Sequence, residues 1–480
     1  MNQPLLFWFR KDLRLTDNTA LKAAAQTGRP IICTYILDED NDVAWPLGKA
    51  SRWWLQESLK SLGLSLQQYE LQLVLRRGDS VEQLSQLIKE TGASSLYFSA
   101  QYEPSSLALE QKVNLALKDQ IEVKRFKGYL LYEPNENTTA EGKPYKVFTP
   151  FYKACLKKPP STALPAPEQI SAYPEYLASD DLLDWDLALD TPTWAQEYPP
   201  IWKPGEDGAD WSLQAFIRQG VGKYPELRNR PDVFGTSRLS PHLHFGEISP
   251  RQIWNAINQL NNTDNEGVAS YQRELIWREF SYNLLINWPD FPEQPFRSEF
   301  KAFPWHDDDS ALHRWQQGQT GYPIVDAGMR ELLHTGWMHN RVRMIVASFL
   351  IKDLLIPWQQ GEKWFWQHLL DANLASNSAS WQWVAGCGAD AAPYFRVFNP
   401  VLQGEKFDPN GDYVRQWVPE LDQLSKAYIH SPWEASADEL QLAGIRLDKT
   451  YPSPIVNHKK ARLRALAAFE VIKNKSQVVA

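Results

Sequence analysis

Between residues 1 and 130, five short apolar runs alternate with stretches whose apolar residues recur at helical spacing. The runs are Pro4–Phe9, Pro30–Leu37, Leu71–Leu75, Ser95–Ser99 and Ile121–Phe126, and the helical patterns between them are Asn18–Gln26, Gly48–Leu62, Ser80–Glu90 and Leu107–Leu117. The runs are rich in Ile, Val, Leu, Phe and Tyr and read as short buried strands. A helix-length segment separates each from the next, which suits parallel crossovers and not hairpins. This arrangement predicts a doubly wound α/β domain around a mostly parallel sheet. No GxGxxG follows the first strand, so the usual dinucleotide fingerprint is absent. The first strand instead feeds FRKDLRLTDN, placing Arg10, Lys11 and Arg14 at its carboxyl end, with Asp17 able to cap the next helix. Such a turn either binds a ligand or is a solvated charged loop.

Strand patterns then stop. Residues 131–205 form a long connector, with prolines crowded between 159 and 204 and an acidic run at 179–186. From Trp211 onward helical periods dominate: Ser212–Gln219, Pro250–Gln259, Glu266–Asn287, Ala311–Gln316 and Lys459–Ile472. The expected organisation is an α/β domain over 1–130, a connector over 131–205 and an all-α domain over 206–480. A chain of 480 residues, 43% hydrophobic and 22% charged, has ample material for two such cores.

Composition narrows the function classes. Cys33, Cys155 and Cys387 are scattered, which argues against a disulfide framework, zinc or an iron–sulfur cluster and for a reducing, cytoplasmic setting. No apolar run approaches the roughly 18 residues of a membrane span, and the N-terminus does not read as a signal peptide. The net charge is −8, with the acidic excess present in both halves, so any nucleic-acid partner must be met by a local basic patch. Twenty-one tryptophans stand out. Most are expected to fill cores, but indoles are also oxidisable and stack on bases.

The richest stretch runs from Gly321 to Trp383 and reads as three helices, Ile324–Thr335, Trp337–Ile356 and Glu362–Leu374, broken at Gly336 and Pro357. Within the second, Asn340 and Met344 share a face, as do His339 and Arg343. Polar groups so placed in an apolar helix suit a pocket wall, although a core helix with snorkelling cations reads the same way. Upstream, GTSRLSP (235–241) precedes a helix start and offers hydroxyls, N–H groups and Arg238 to an anion, or simply caps the helix. YQRELIWREF (271–280) sets Glu274 and Arg278 at i,i+4 with Trp277 on an adjoining face.

Each of these signals is weak alone, but in register they are specific. FWFRKDLRLTDN, GTSRLSP, ELIWREF, TGYPIVDAGMR, GWMHNRVRM, SASWQW and FNPVLQGEKFDP occur in this order across nearly the whole chain. In this the chain closely resembles the photolyase/cryptochrome family, and within it class I cyclobutane pyrimidine dimer DNA photolyases. The resemblance implies FAD in the helical domain, and a light-driven carbon–carbon lyase. Excited reduced flavin would pass an electron to a pyrimidine dimer flipped out of DNA and take it back. It further implies that Tyr224, Thr236, Ser237, Arg238, Leu239, Ser240 and Arg278 hold the FAD diphosphate. Asp371, Ala372 and Asn373 would lie along the flavin, with Arg343 paired to Asp371 and Asn377 facing the flavin N5. A neutral amide there tolerates an anionic reduced flavin better than a carboxylate would. Glu274, Asn340, Met344, Trp277 and Trp383 would contact the lesion. Trp381, Trp358 and Trp305 would form a photoreduction chain from flavin to surface. Arg228, Tyr271, Arg341 and Gln403, with Glu274, Trp277 and Asn340, would meet DNA. No metal is implied, and a monomer is expected.

Three positions depart from the family pattern. Asn373 stands where relatives often carry Asp, and Tyr271 where some carry Trp. Ser105-Ser106 replaces an Asn-Glu pair of folate-binding relatives. The second, antenna chromophore of the family is folate or deazaflavin, and Ser105-Ser106 argues against folate held in that mode. Competing readings are a cryptochrome-type blue-light receptor without repair activity, a (6-4) photolyase, and a light-independent adenine-nucleotide-binding protein. Relatives of the (6-4) kind carry histidines where this chain has Asn340 and Met344.

Overall fold

The computed structural model describes residues 3–188, 198–260, 266–391 and 396–478. Five strands, β1 (Leu5–Phe9), β2 (Ile31–Leu37), β3 (Leu73–Arg77), β4 (Ser95–Ser99) and β5 (Glu122–Phe126), form one parallel sheet in the order β3-β2-β1-β4-β5. Helices α1 (Thr19–Gln26), α2 (Lys49–Gln67), α3 (Ser80–Thr91) and α4 (Pro104–Leu117) make the crossovers. All five expected strands and four helices are present; β3 lies two residues later than expected because Leu71 closes the preceding turn, and β5, expected to be buried, is a largely exposed edge strand. Local chemistry accounts for the helix ends. Asn18 and Asp79 accept from the N–H groups of Leu21 and Glu82, and Gly92 ends α3 at φ 66°.

The cations of the charged turn after β1 have internal partners and act as a joint. Arg10 pairs with Glu110 at 2.5 Å, and Lys11 with Glu103 at 2.7 Å. Arg14, 1% exposed, donates to the carbonyls of Gly246, Asp17 and Gly128, so it ties β1 to the helical region and the loop after β5. Gly246 (φ 70°) lies so close that a Cβ there would sit 2.1 Å from the Lys11 carbonyl oxygen.

The connector contributes α5 (Phe148–Leu156), which buries Phe148, Phe151 and Cys155 against the helical part. From Glu206 onward every regular element among the described residues is helical; an isolated bridge joins Leu447 and Tyr451. The long helix Glu266–Asn287 matches its expected bounds.

The stretch 321–383 is phased differently from its expected three helices. Gly336 (φ 66°) turns the chain, and His339 caps a helix over Asn340–Ser348, which loosens into a π-turn over Phe349–Asp353. Trp337 therefore lies outside that helix, its indole N–H donating to Ser240 Oγ at 3.2 Å. The next helix is Trp358–His368, and Asn373 caps a further one, Leu374–Ala385. The apolar period alone hides this break, because Asn373 acts through its capping carbonyl oxygen on the Ser376 N–H. None of the helices is long and apolar enough to cross a membrane, among the described residues.

Candidate functional site

Three helices supply most of the site: Glu266–Asn287, Asn340–Ser348 and Leu374–Ala385. Arg278 on the first is almost fully buried, with its guanidinium 4.5 Å over the Tyr129 ring and 5.3 Å over Tyr282. One nitrogen donates to Glu279 at 3.0 Å, while Nη2 is buried without a partner. Glu279 also accepts from the N–H groups of Leu131 and Tyr132, yet burial outweighs these contacts and pushes its carboxyl up to about 7. An unpartnered N–H on a buried guanidinium, backed by a weakened countercharge, suits an anion.

The expected diphosphate residues surround one another. The Tyr224 ring meets Tyr271 edge-on at 5.1 Å, and the Tyr271 hydroxyl lies 2.7 Å from Ser237 Oγ. This corrects the expectation for Tyr271. It is 5% exposed, its phenol is pushed up to about 12 by burial, and it braces the Thr236–Ser240 segment instead of facing DNA. The phenol of Tyr224 is likewise pushed up by burial. Leu239 is buried, and Thr236 is half-buried. Arg238, at φ 52°, stacks its guanidinium 5.1 Å from the Trp337 ring and 5.9 Å from Trp202. Its side chain thus packs on indoles, leaving its backbone for the anion segment. The i,i+4 pairing of Glu274 with Arg278 does not form; each has another partner.

On the flavin side, Arg343 Nη2 donates to both oxygens of Asp371, at 3.1 and 2.9 Å, as expected. Arg343 Nε is fixed by the Met338 carbonyl at 2.8 Å. Ala372 is buried, and Asn373 donates to the Tyr282 hydroxyl at 2.6 Å, a neutral use of the position where relatives carry a charge. Asn377 is buried and donates to the Glu362 carbonyl at 3.1 Å. Glu362 is fully buried, with a carboxyl pushed well up by burial, and accepts from Ser378 at 2.5 Å. The sequence reading did not single it out, since a glutamate at a helix start usually faces water.

Trp381 and Trp358 are equally buried, and Trp305 is half-buried. All three pack on one core. Trp315, fully buried and 6.3 Å from Trp381, joins them unannounced by any motif.

At the mouth, Asn340 is exposed, and Glu274, Trp277, Met344, Trp383 and Gln403 are half-buried. Arg228 donates to Glu274 Oε1 at 2.6 Å. Arg341 donates to Asn229 and lies 4.4 Å over Phe407. Burial, Arg228 and Arg396 all disfavour its charge. Ser105 donates to Asp42 and Ser106 to Gln101, so both hydroxyls at the departing antenna position have internal partners. No group of His, Cys, Asp and Glu among the described residues could hold a metal.

A second carboxyl offers a stability test. Glu331 is 4% exposed, accepts from the Tyr413 hydroxyl at 2.7 Å and the His339 N–H at 3.1 Å, and is pushed up to about 7 by burial, against Arg238 and Arg343. Unfolded, it releases its proton near 4.5, so over that window the folded chain holds a proton that the unfolded chain has lost. Stability therefore falls as pH rises through the window. Glu331→Gln mimics the protonated acid. Its melting temperature should exceed wild type by a few degrees near pH 8, and the gap should close near pH 5, as read by thermal melts.

Comparison with known proteins gives two family profiles: the FAD binding domain of DNA photolyase over residues 271–471, and DNA photolyase over residues 5–168. A deoxyribodipyrimidine photo-lyase of Agrobacterium fabrum is 48% identical over 98% of both chains. Cryptochrome-1 of Arabidopsis thaliana is 40% identical over 96% of this chain and 69% of its own length. The crystal structure of a class III photolyase from Agrobacterium tumefaciens superposes with a TM-score of 0.95 at 48% identity, covering 99% of this chain and 98% of that one. The subclass expected from the motifs, class I, is not the one this neighbour carries.

Proposed function

The chain belongs to the photolyase/cryptochrome family of FAD-binding proteins, and on that premise we propose that it is a deoxyribodipyrimidine photo-lyase of the class III kind, repairing cyclobutane pyrimidine dimers in DNA under blue light. The observation that carries this reading is the arginine cluster at the mouth of the site. In a chain of net charge −8, Arg228, Arg341 and Arg396 stand close enough for the other two to disfavour the charge of Arg341. Glu274 pairs with Arg228, whereas the partners of Arg341, Asn229 and the Phe407 ring, are uncharged, and a DNA phosphate would supply the countercharge.

The groups beside the cluster suit a flipped base pair. Arg228 occupies one oxygen of Glu274, leaving Oε2 to accept a pyrimidine N–H. Asn340 offers both a donor and an acceptor to a base edge, and Met344 on the same helix face supplies a polarisable apolar contact. Trp277 and Trp383 are the stacking walls. Arg278 would hold the FAD diphosphate, and the Arg343–Asp371 pair would hold the flavin flank. When bound and reduced, FAD supplies the light-driven electron that opens the cyclobutane ring and takes it back. Asn377 keeps the adjoining wall uncharged, and Trp381, Trp358 and Trp305 serve reduction of the resting enzyme.

The test is a dimer-containing oligonucleotide incubated with FAD-loaded protein under blue light and in the dark. Dimer loss in light alone is the expected result. Full FAD loading without repair in light would overturn the reading in favour of a cryptochrome-type receptor.

A further inference from the structure

We propose that Phe148 and Asp390 form a bracket that fixes the plane of Trp277, making Phe148 a positioning residue for lesion binding; this rests on the photolyase reading. Phe148 opens α5, in the connector and not in the helices that carry the lesion residues. Its ring lies parallel to Trp277, with centroids 3.6 Å apart and 3° between planes. Aromatic pairs left to their own preferences choose edge-on or offset contacts over such overlap, so the surrounding frame imposes this one. The frame is visible. Phe280 meets both rings edge-on, at 5.8 Å from each, and Tyr152 stacks on Phe148 at 5.7 Å. The Phe148 backbone N–H donates to Asp390 Oδ2 at 3.3 Å.

Asp390 follows the turn that ends the helix Leu374–Ala385, which carries Asn377, Trp381 and Trp383. Ala379 on that helix and Ala389 beside Asp390 pack on the same cluster as Phe148 and Trp277. One helix start therefore touches both sides of the lesion site: its ring against Trp277, its N–H against the segment following Trp383. Phe148 is 6% exposed while Trp277 is half-buried, and the stack covers one indole face. A pyrimidine would stack on the face that Phe148 does not cover, at a tilt Phe148 sets. Without the ring, Trp277 can rock about its χ angles, and an unstacked base meets a surface of undefined orientation.

The experiment compares affinities of FAD-loaded protein for dimer-containing and undamaged oligonucleotides. Phe148→Ala should weaken binding of the dimer-containing strand roughly three- to tenfold, the range such a ring pair supports. Affinity for undamaged DNA and FAD content should not change. Phe148→Tyr should keep the wild-type ratio while Phe148→Leu, which fills space without a ring face, should lower it, and Asp390→Ala should lower the ratio less than Phe148→Ala does. An unchanged ratio in Phe148→Ala, or equal losses on both DNAs, overturns the bracket. If Phe148→Ala does not fold, an unchanged ratio in Asp390→Ala overturns it instead. A wild-type protein that does not distinguish the two DNAs would sink the photolyase reading, a separate result.

Discussion

Arg278→Ala is expected to emerge from purification without flavin, its affinity for FAD lowered by roughly 100-fold or more, as loss of a buried charge-assisted contact implies. The argument lies in what Arg278 leaves unsatisfied. Its guanidinium is sandwiched over Tyr129 and Tyr282 and donates to Glu279, yet Nη2 is buried with no partner. Leaving a charged donor unmet inside a protein costs more than an ordinary hydrogen bond returns, so the site is built for an anion that this nitrogen meets. A diphosphate beside Ser237 and the Thr236–Ser240 backbone provides one. Arg278→Lys should give an intermediate loss, because a single ammonium cannot reproduce the planar fork. The ratio of visible to ultraviolet absorbance and a calorimetric FAD titration read both variants. Full flavin occupancy in Arg278→Ala would move the diphosphate elsewhere.

Trp381→Phe should abolish light-driven reduction of the oxidised cofactor, by at least ~100-fold in rate, because the benzyl ring is far harder to oxidise than indole and the barrier rises accordingly. Repair by enzyme reduced chemically beforehand should be unchanged. The seat of Trp381 explains why the position is specific. Gly361 lies against the indole so tightly that a Cβ there would sit 2.1 Å from Cη2, and Phe365 meets the ring edge-on at 5.0 Å. The smaller phenyl ring fits this seat, so loss of photoreduction would report chemistry and not collapse. Trp315, 6.3 Å from Trp381, gives the contrasting outcome. Persistent photoreduction in Trp381→Phe would show that an electron can enter by another aromatic, and would displace Trp381 from its role.

The sheet was legible because strands buried on both faces leave a direct mark: mostly apolar runs separated by helix-length segments admit few arrangements other than a parallel α/β layer, and only the edge strand β5, with Glu122, Lys124 and Arg125, lacks that mark. Much of the site was legible through motifs that keep residue type and spacing together. The Arg343–Asp371 pair forms as expected, and Asn340 and Met344 lie on one turn of a helix at the mouth. Helix phase in 337–374 was not legible. Apolar residues continue across Trp337 and Leu369–Leu370, while the breaks depend on Gly336 and on a cap from Asn373, neither of which interrupts the period.

Pairing between distant segments was equally silent in the sequence. Tyr271 could not be read as a brace for Ser237, nor the FRKDLR cations as a joint, because a charged or phenolic side chain declares its chemistry but not its partner. The sequence by itself determined which elements form and which residue types stand at the site, since periodicity, capping and motif chemistry act over a few residues. Only the tertiary structure decided that Glu274 meets Arg228 and not Arg278, which nitrogen of Arg278 is left for a ligand, and that Phe148 from the connector covers one face of Trp277. Burial and partner choice are properties of segments brought together from tens to hundreds of residues apart, and no local pattern records them.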